Sequence, residues 1–266
     1  MSKVETKIVI PSRGRPHEHS TISQIPKRWL RHTIVAVPAR EERAYQDSYR
    51  QYGVTILTVP EGKKEKIKYI GQKRQWLMEN VGFRYLYMID DDIEFHYRPN
   101  MHKTNMRRVD QEKFGIMVDL IFRWIRLEGI VQAGVCRRLY SNNVPEPFLD
   151  NRFHYANHAV DTKFCLKNDI RWDKYPIVEE IDFFLQLAKI KAPQRTSFMF
   201  ATQTEPWTDG GCSEYRTRDM ETEIYNKIAA EYPGWVTFRK PRMKKGTATW
   251  DLKPLIVVHS KKAYRE

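Results

Sequence analysis

The chain has 266 residues, 41% of them hydrophobic, and a formal net charge of +13. That is enough apolar material for a core, and no stretch approaches the roughly 20 apolar residues of a membrane-spanning helix. Residues 1–7 lead straight into a strand pattern with no signal-peptide layout, so a soluble, cytoplasmic protein is expected. Cys136, Cys165 and Cys212 are too far apart for a disulfide framework or a paired-cysteine zinc site. The basic excess favours a polyanionic partner, nucleic acid first, with an anionic membrane surface or acidic glycan second.

Taken in chain order, the first 95 residues alternate strand and helix patterns, which predicts an α/β fold with a mostly parallel sheet. Strands are expected at 7–10, 33–37, 54–59 and 85–89, the first three ending at Pro11, Pro38 and Pro60. Between them lie a helix over 41–52, stopped by Gly53, and one over 66–80 with Ile67, Ile70, Leu77 and Val81 on one face. In the second half Phe114, Met117, Val118, Ile121, Phe122 and Ile125 recur at helical spacing. Strands are expected at 130–136, 162–166 and 255–258, and helices at 181–190 and 220–232, the last closed by Pro233-Gly234. Residues 98–108 form a basic loop and 207–218 a loop with Gly210-Gly211, neither resembling an interdomain linker. One domain is expected, with a nucleotide-binding half (1–95) and an acceptor half (96–266).

The chemistry gathers at MIDDDIEF, Met88 to Phe95, where an apolar strand runs directly into Asp90-Asp91-Asp92. Ligands of open α/β sheets bind at the carboxyl ends of strands. Three adjacent acids repel one another and call for a cation. Alternate residues of an extended chain face the same way, so Asp90 and Asp92 can converge on one ion with Asp91 turned elsewhere. Hard carboxylate oxygens suit Mg²⁺ or Mn²⁺, which also bridge diphosphates. Near the start, Arg13 and Arg15 flank Gly14 in IVIPSRGRP and could meet phosphate. The 207–218 loop joins Trp207, Gly210 and Gly211 to Arg216 and Arg218, a composition suited to closing over a sugar diphosphate.

The stretch IGQKRQWLMENVGFRYLYMIDDD resembles the GT-A glycosyltransferases, in which a helix bearing a Gly and an Arg precedes the strand that carries the DxD motif. Gly71 and Arg74 occupy the matching places, and Gln75 stands where an Asn is usual. The resemblance implies a nucleotide-sugar donor, with UDP preferred, a Mn²⁺ or Mg²⁺ ion, and a donor site drawn from Pro11, Ser12, Arg13, Arg15, Arg74, Asp90, Asp91, Trp207, Gly210, Gly211, Arg216 and Lys261. It implies a metal shell of Asp90 and Asp92 completed by a late histidine, His259. It also implies a catalytic or acceptor-contacting acid about 90 residues after the triplet, among Glu179, Glu180 and Asp182.

The PSRGRP start, the Gly-Gly loop and the final HSKKAYR narrow the resemblance to phage-encoded glycosyltransferases that decorate hydroxymethylated pyrimidines in DNA, such as 5-hydroxymethylcytosine, relatives of enzymes associated with TET/JBP oxidases. The implied setting is then the host cytoplasm. Two basic runs agree with a DNA partner: Lys103, Arg107 and Arg108, and Arg239, Lys240, Arg242 and Lys244. Tyr97, Trp235, Phe238 and Trp250 lie nearby as stacking candidates, and His154, Tyr155, Asn157 and His158 form a polar aromatic cluster suited to an extruded base. The competing expectations are a GT-A enzyme with a glycan, lipid or protein acceptor, a non-catalytic nucleic-acid-binding protein, and a metal-dependent nuclease. The run-up to the DxD fits the nuclease poorly.

Overall fold

The computed structural model describes residues 5–62, 66–100, 105–141, 144–204, 211–239 and 255–265. In the first half the chain lays down β1 (Thr6–Pro11), a short α1 (Lys27–Leu30), β2 (Thr33–Pro38), α2 (Glu42–Tyr49), β3 (Thr55–Val59), α3 (Ile70–Asn80), β4 (Tyr85–Ile89) and β5 (Glu94–Tyr97). The second half begins with β6 (Arg107–Arg108), α4 (Gln111–Leu127), β7 (Gln132–Arg137), α5 (Arg138–Ser141), β8 (Phe148–Asp150), β9 (Asn157–Asp161) and α6 (Thr162–Lys167). It continues through α7 (Glu179–Lys189), β10 (Gln194–Gln203), α8 (Arg218–Glu231), β11 (Val236–Arg239), β12 (Leu255–Val258) and α9 (Ser260–Arg265).

Ten strands form one sheet in the order β3-β2-β1-β4-β9-β7-β10-β5-β6, with β8 also on β10. Strands β3, β2, β1 and β4 are parallel, and β7 and β10 are parallel to each other. β9 sits antiparallel between β4 and β7, joining the two halves. The first residues of β9 therefore lie beside the last residues of β4 and β7, and this junction holds the acidic triplet.

Period-two alternation divides the strands between two cores. Ile8, Ile10, Val35 and Tyr87 face α4, whose Phe114, Val118 and Ile121 are fully buried. Val9, Ala36, Leu86 and Met88 face the other way, with Leu77 of α3 and Phe183 and Leu187 of α7. A third cluster packs α7 against α8 and α9 through Ile181, Ile224, Ile228 and Ala263. The α4 start is fixed by Asp110, whose side chain accepts the Lys113 N–H at 2.7 Å.

The strand expected at 162–166 is helix α6. Its β-branched and aromatic residues are overridden by Asp161, which caps the helix by accepting the Phe164 N–H at 3.1 Å. The strand at that place in the sheet is β9, a fully buried run whose Asn157 and His158 disguise it as a loop. β10, β5 and α9 are further elements that the sequence pattern leaves unassigned. No described helix is long and apolar enough to cross a membrane.

Candidate functional site

Strand β4 is buried throughout and stops at Ile89, so the next three residues emerge at the carboxyl edge of the sheet. Their carboxylates diverge. Asp91 turns inward, is almost wholly buried, and accepts from Ser12 Oγ, which also bonds the Tyr45 hydroxyl at 2.7 Å. Asp90 and Asp92 keep more exposure, their side chains 33% and 20% accessible. Arg15 Nη1 bridges Asp91 Oδ1 at 3.0 Å and Asp92 Oδ2 at 2.8 Å. Burial, and then the neighbouring Asp92 charge, push the Asp91 carboxyl up to about 6.

Pro11 ends β1 opposite Ala36, and the residues after it line one wall. The Ser12 carbonyl accepts from Lys73 Nζ at 2.7 Å, and that fully buried ammonium is paired with Glu61 at 2.6 Å. Arg13 reaches Glu61 at 3.4 Å and Glu214 at 2.7 Å. The Gly14 N–H donates to Glu41 at 2.7 Å and the Arg15 N–H to Tyr45 at 3.0 Å. Glu41, Tyr45 and Glu61 belong to no motif, and nothing in the neighbouring sequence distinguishes their acids and hydroxyl from solvated side chains.

The other wall is built on Arg74. Its guanidinium, 2% exposed, donates to Asp90 Oδ1 at 2.6 Å, Glu179 Oε1 at 2.8 Å and Glu180 Oε1 at 3.1 Å, and lies 5.4 Å from the Trp172 ring centroid. Gly71, one turn earlier in α3, permits this approach: a β-carbon there would sit 2.5 Å from the Trp172 carbonyl oxygen and 2.9 Å from that of Tyr175. Two non-glycine residues with left-handed backbone flank the acids, Val178 (φ 63°) at the start of α7 and Ala156 (φ 63°) before β9. Such strain concentrates at functional sites. Here Ala156 uses both backbone groups, accepting the Asp90 N–H at 3.1 Å and donating to Glu180 Oε1 at 2.7 Å.

Glu179 and Asp90 are raised by burial against the pull of Arg74. Glu180 goes the other way. Against the cost of burial, a hydrogen bond from His158 Nε2 at 2.9 Å, the Arg74 charge and the Ala156 N–H hold it below the usual carboxylate range. All three donors meet Oε1, and no hydrogen bond among the described residues uses Oε2.

The loop after Gly211 docks onto both walls. The Gly211 N–H donates to the Arg13 carbonyl at 3.1 Å, and the Tyr215 hydroxyl accepts the Ile70 N–H at 3.0 Å. Arg216 pairs with Glu221 of α8 while its charge also acts on Glu179. Trp207 and Gly210 lie outside the described residues, as do Lys103, Lys240, Arg242 and Lys244.

Several expected residues are not brought here. Asp182 is buried on the far side of α7, where it accepts from Gln186 at 2.6 Å and Tyr232 at 2.9 Å. Two residues along a helix is a turn of about 200°, so Asp182 cannot share the face of Glu180. The His259 ring bonds Thr237 at 2.7 Å and is not among the groups that bond the triplet. Lys261 lines a cleft of about 540 Å³ with Asp150, Asn151 and Tyr264, near the start of β10 and thus at the opposite end of the sheet. Arg107 and Arg108 are exposed on β6, with Arg108 3.2 Å from Glu94, and Arg239 is exposed at the end of β11. Of the cluster suggested for an extruded base, His154, Asn157 and His158 are core groups. Asn157 bonds the backbone of Val135, and burial pushes His154 down to about 3.

The arrangement is tied to a known group of enzymes by its sequence. Residues 6–196 match the family described as TET-Associated Glycosyltransferase. The chain belongs to that family. It is a glycosyltransferase of GT-A fold. Among solved structures it resembles glucosyl-3-phosphoglycerate synthase from Mycobacterium tuberculosis in complex with Mn²⁺, UDP and glucosyl-3-phosphoglycerate, at 12% identity and TM-score 0.52 over 95% of this chain and 87% of that one. The same enzyme with Mn²⁺, UDP and phosphoglyceric acid matches at 11% identity and TM-score 0.52, over 95% and 86%. At such identity the likeness is one of fold. No curated protein matches the sequence.

Five carboxylates, Asp90, Asp91, Asp92, Glu179 and Glu180, are served by the two guanidiniums of Arg15 and Arg74. Among the described residues no three His, Cys, Asp or Glu side chains converge as a ready-made metal cage; the arginines lie between the acids instead. Two partly exposed carboxylates in a site of surplus negative charge nonetheless fit a hard divalent ion that takes its remaining ligands from water and diphosphate.

Proposed function

We propose that this family member transfers a sugar from a UDP-sugar to the hydroxymethyl oxygen of a modified pyrimidine in DNA. The observation that carries the reading is the carboxylate set at the β4 edge, where the partly exposed Asp92 pairs with Arg15 and Asp90 with Arg74, while Glu180, on the same Arg74 guanidinium, keeps one uncommitted oxygen. Asp90 and Asp92 would hold Mn²⁺ or Mg²⁺, which supplies charge neutralisation for the departing diphosphate. The loop of Ser12, Arg13 and Arg15 would take the nucleotide and its phosphates, Arg15 by exchanging a carboxylate for a phosphate oxygen. Arg216, on the docked loop, would add a second cation to the leaving group.

Glu180 is held below the usual carboxylate range, so it is ionised and accepts hydrogen bonds, while the same three donors weaken it as a base. Its Oε2 would receive the acceptor hydroxyl hydrogen bond. As the hydroxyl oxygen bonds the anomeric carbon, the carbon–phosphate oxygen bond breaks, UDP leaves with the electron pair, and the proton passes to Glu180. Glu179, buried behind Arg74, fixes that guanidinium and through it Asp90 and Glu180. The net charge of +13 and the exposed Arg107, Arg108 and Arg239 suit a DNA acceptor.

The test follows UDP release from a panel of UDP-sugars with Mn²⁺ and a duplex carrying either cytosine or 5-hydroxymethylcytosine. Release stimulated only by the hydroxymethylated duplex is expected. Stimulation by glycans or proteins, and by neither duplex, would move the acceptor to another class.

A further inference from the structure

The sheet places one aromatic–cation pair beside the acids that the chemistry above does not use. The β7–β9 register sets Ala133 opposite Ala159. Extended by four residues it brings Arg137, the last residue of β7, opposite Tyr155. The two side chains meet there, the guanidinium carbon of Arg137 lying 4.2 Å from the Tyr155 ring centroid. On the other side of β9, Ile89 is opposite Asn157 and the Asp90 N–H bonds the Ala156 carbonyl. Two strand spacings, about 10 Å, therefore separate the triplet from Arg137.

Tyr155 is the single member of the 154–158 aromatic cluster that is not buried. It adjoins Ala156, whose N–H orients Glu180, and its ring packs edge-on against Phe153 at 4.3 Å, which holds it in place. Arg137 is exposed and makes no ion pair with a carboxylate among the described residues. Tyr155 is half-buried, with part of its ring packed against the core below the sheet, while Arg137 lies on the solvent side of the pair. A flat guanidinium over a flat ring is a surface on which a planar ligand stacks.

We propose that Tyr155 and Arg137 form the platform that holds the acceptor ring, a pyrimidine base extruded from its strand, with its hydroxymethyl group directed to Glu180. This rests on the DNA-acceptor reading above. Stacking depends on a π-face and not on the Tyr hydroxyl, so Tyr155→Phe and Tyr155→Trp keep the acceptor KM of the wild type. Tyr155→Leu raises it about tenfold or more, with a smaller effect on kcat. Should the Leu variant fail to fold, as its unfolding transition would reveal, Arg137→Gln, on an exposed side chain, gives the same increase. If the wild type modifies hydroxymethylated DNA and neither Tyr155→Leu nor Arg137→Gln raises the acceptor KM, the platform is overturned and the DNA reading stands. If the wild type glycosylates only acceptors without a nucleobase, the DNA reading falls and the platform falls with it.

Discussion

Replacing Arg74 with Met removes the one buried cation shared by Asp90, Glu179 and Glu180, while Met fills much of the stem volume against Trp172. Breaking a buried pair by deleting one partner costs about 3–5 kcal/mol. At about 2–4 °C of Tm per kcal/mol for a chain of this size, the expected loss is on the order of 10 °C at pH 8. The pH dependence has a definite sign. Asp90 and Glu179 already have raised pKa values in the native protein, and losing Arg74 raises them further. A carboxyl raised on folding favours the native state below its unfolded pKa and loses that contribution as pH climbs through the folded value. The deficit of Arg74→Met is thus largest above neutrality and shrinks as pH falls towards 5. Thermal unfolding of both proteins from pH 5 to pH 8, followed by circular dichroism, reads it. A deficit of a degree or two, or one independent of pH, would refute the view that Arg74 is the electrostatic keystone of the acids.

Gly71→Ala, in the first turn of α3, is expected to lower stability by about 1–3 kcal/mol because the new methyl meets two carbonyl oxygens; urea unfolding measures it. Glu180→Gln is expected to lower kcat by about 10²–10⁴-fold. Asp182→Asn is expected to keep kcat near that of the wild type and to lower Tm, since the Tyr232 and Gln186 donors lose their carboxylate acceptor; steady-state kinetics on both variants separates the roles. Mn²⁺ at about 100 times its dissociation constant is expected to stabilise the protein by about 2.7 kcal/mol, an effect that Asp90→Asn with Asp92→Asn removes in a thermal-shift titration.

What the sequence conveyed here was local. The apolar strand running into three acids is a contiguous signal, and β4 ends where the pattern says it does. Gly71 and Arg74 were legible through the resemblance to the GT-A glycosyltransferases, whose helix motif they match. The choice between Glu180 and Asp182 was legible in principle, since α7 turns the two residues to opposite faces, but the sequence alone does not say which face meets the sheet edge. His259 and Lys261 depended on where the terminal β11–β12 hairpin docks, a long-range packing outcome that no local pattern carries. β9 was hidden by polar residues whose hydrogen-bond partners, Val135, Gln132 and Glu180, lie far away in sequence. The result is a charge inversion that composition conceals: a chain of +13 builds its centre from carboxylates.

The central claim is tested most directly by nucleoside mass spectrometry. DNA containing cytosine or 5-hydroxymethylcytosine would be incubated with UDP-sugar, Mn²⁺ and either the wild type or Asp92→Asn, then digested to nucleosides. The account predicts a hexose or pentose mass added to the hydroxymethylated nucleoside alone, by the wild type alone. Unmodified nucleosides alongside metal-dependent UDP release would contradict the DNA acceptor, and equal product from Asp92→Asn would contradict the role given to the acidic triplet.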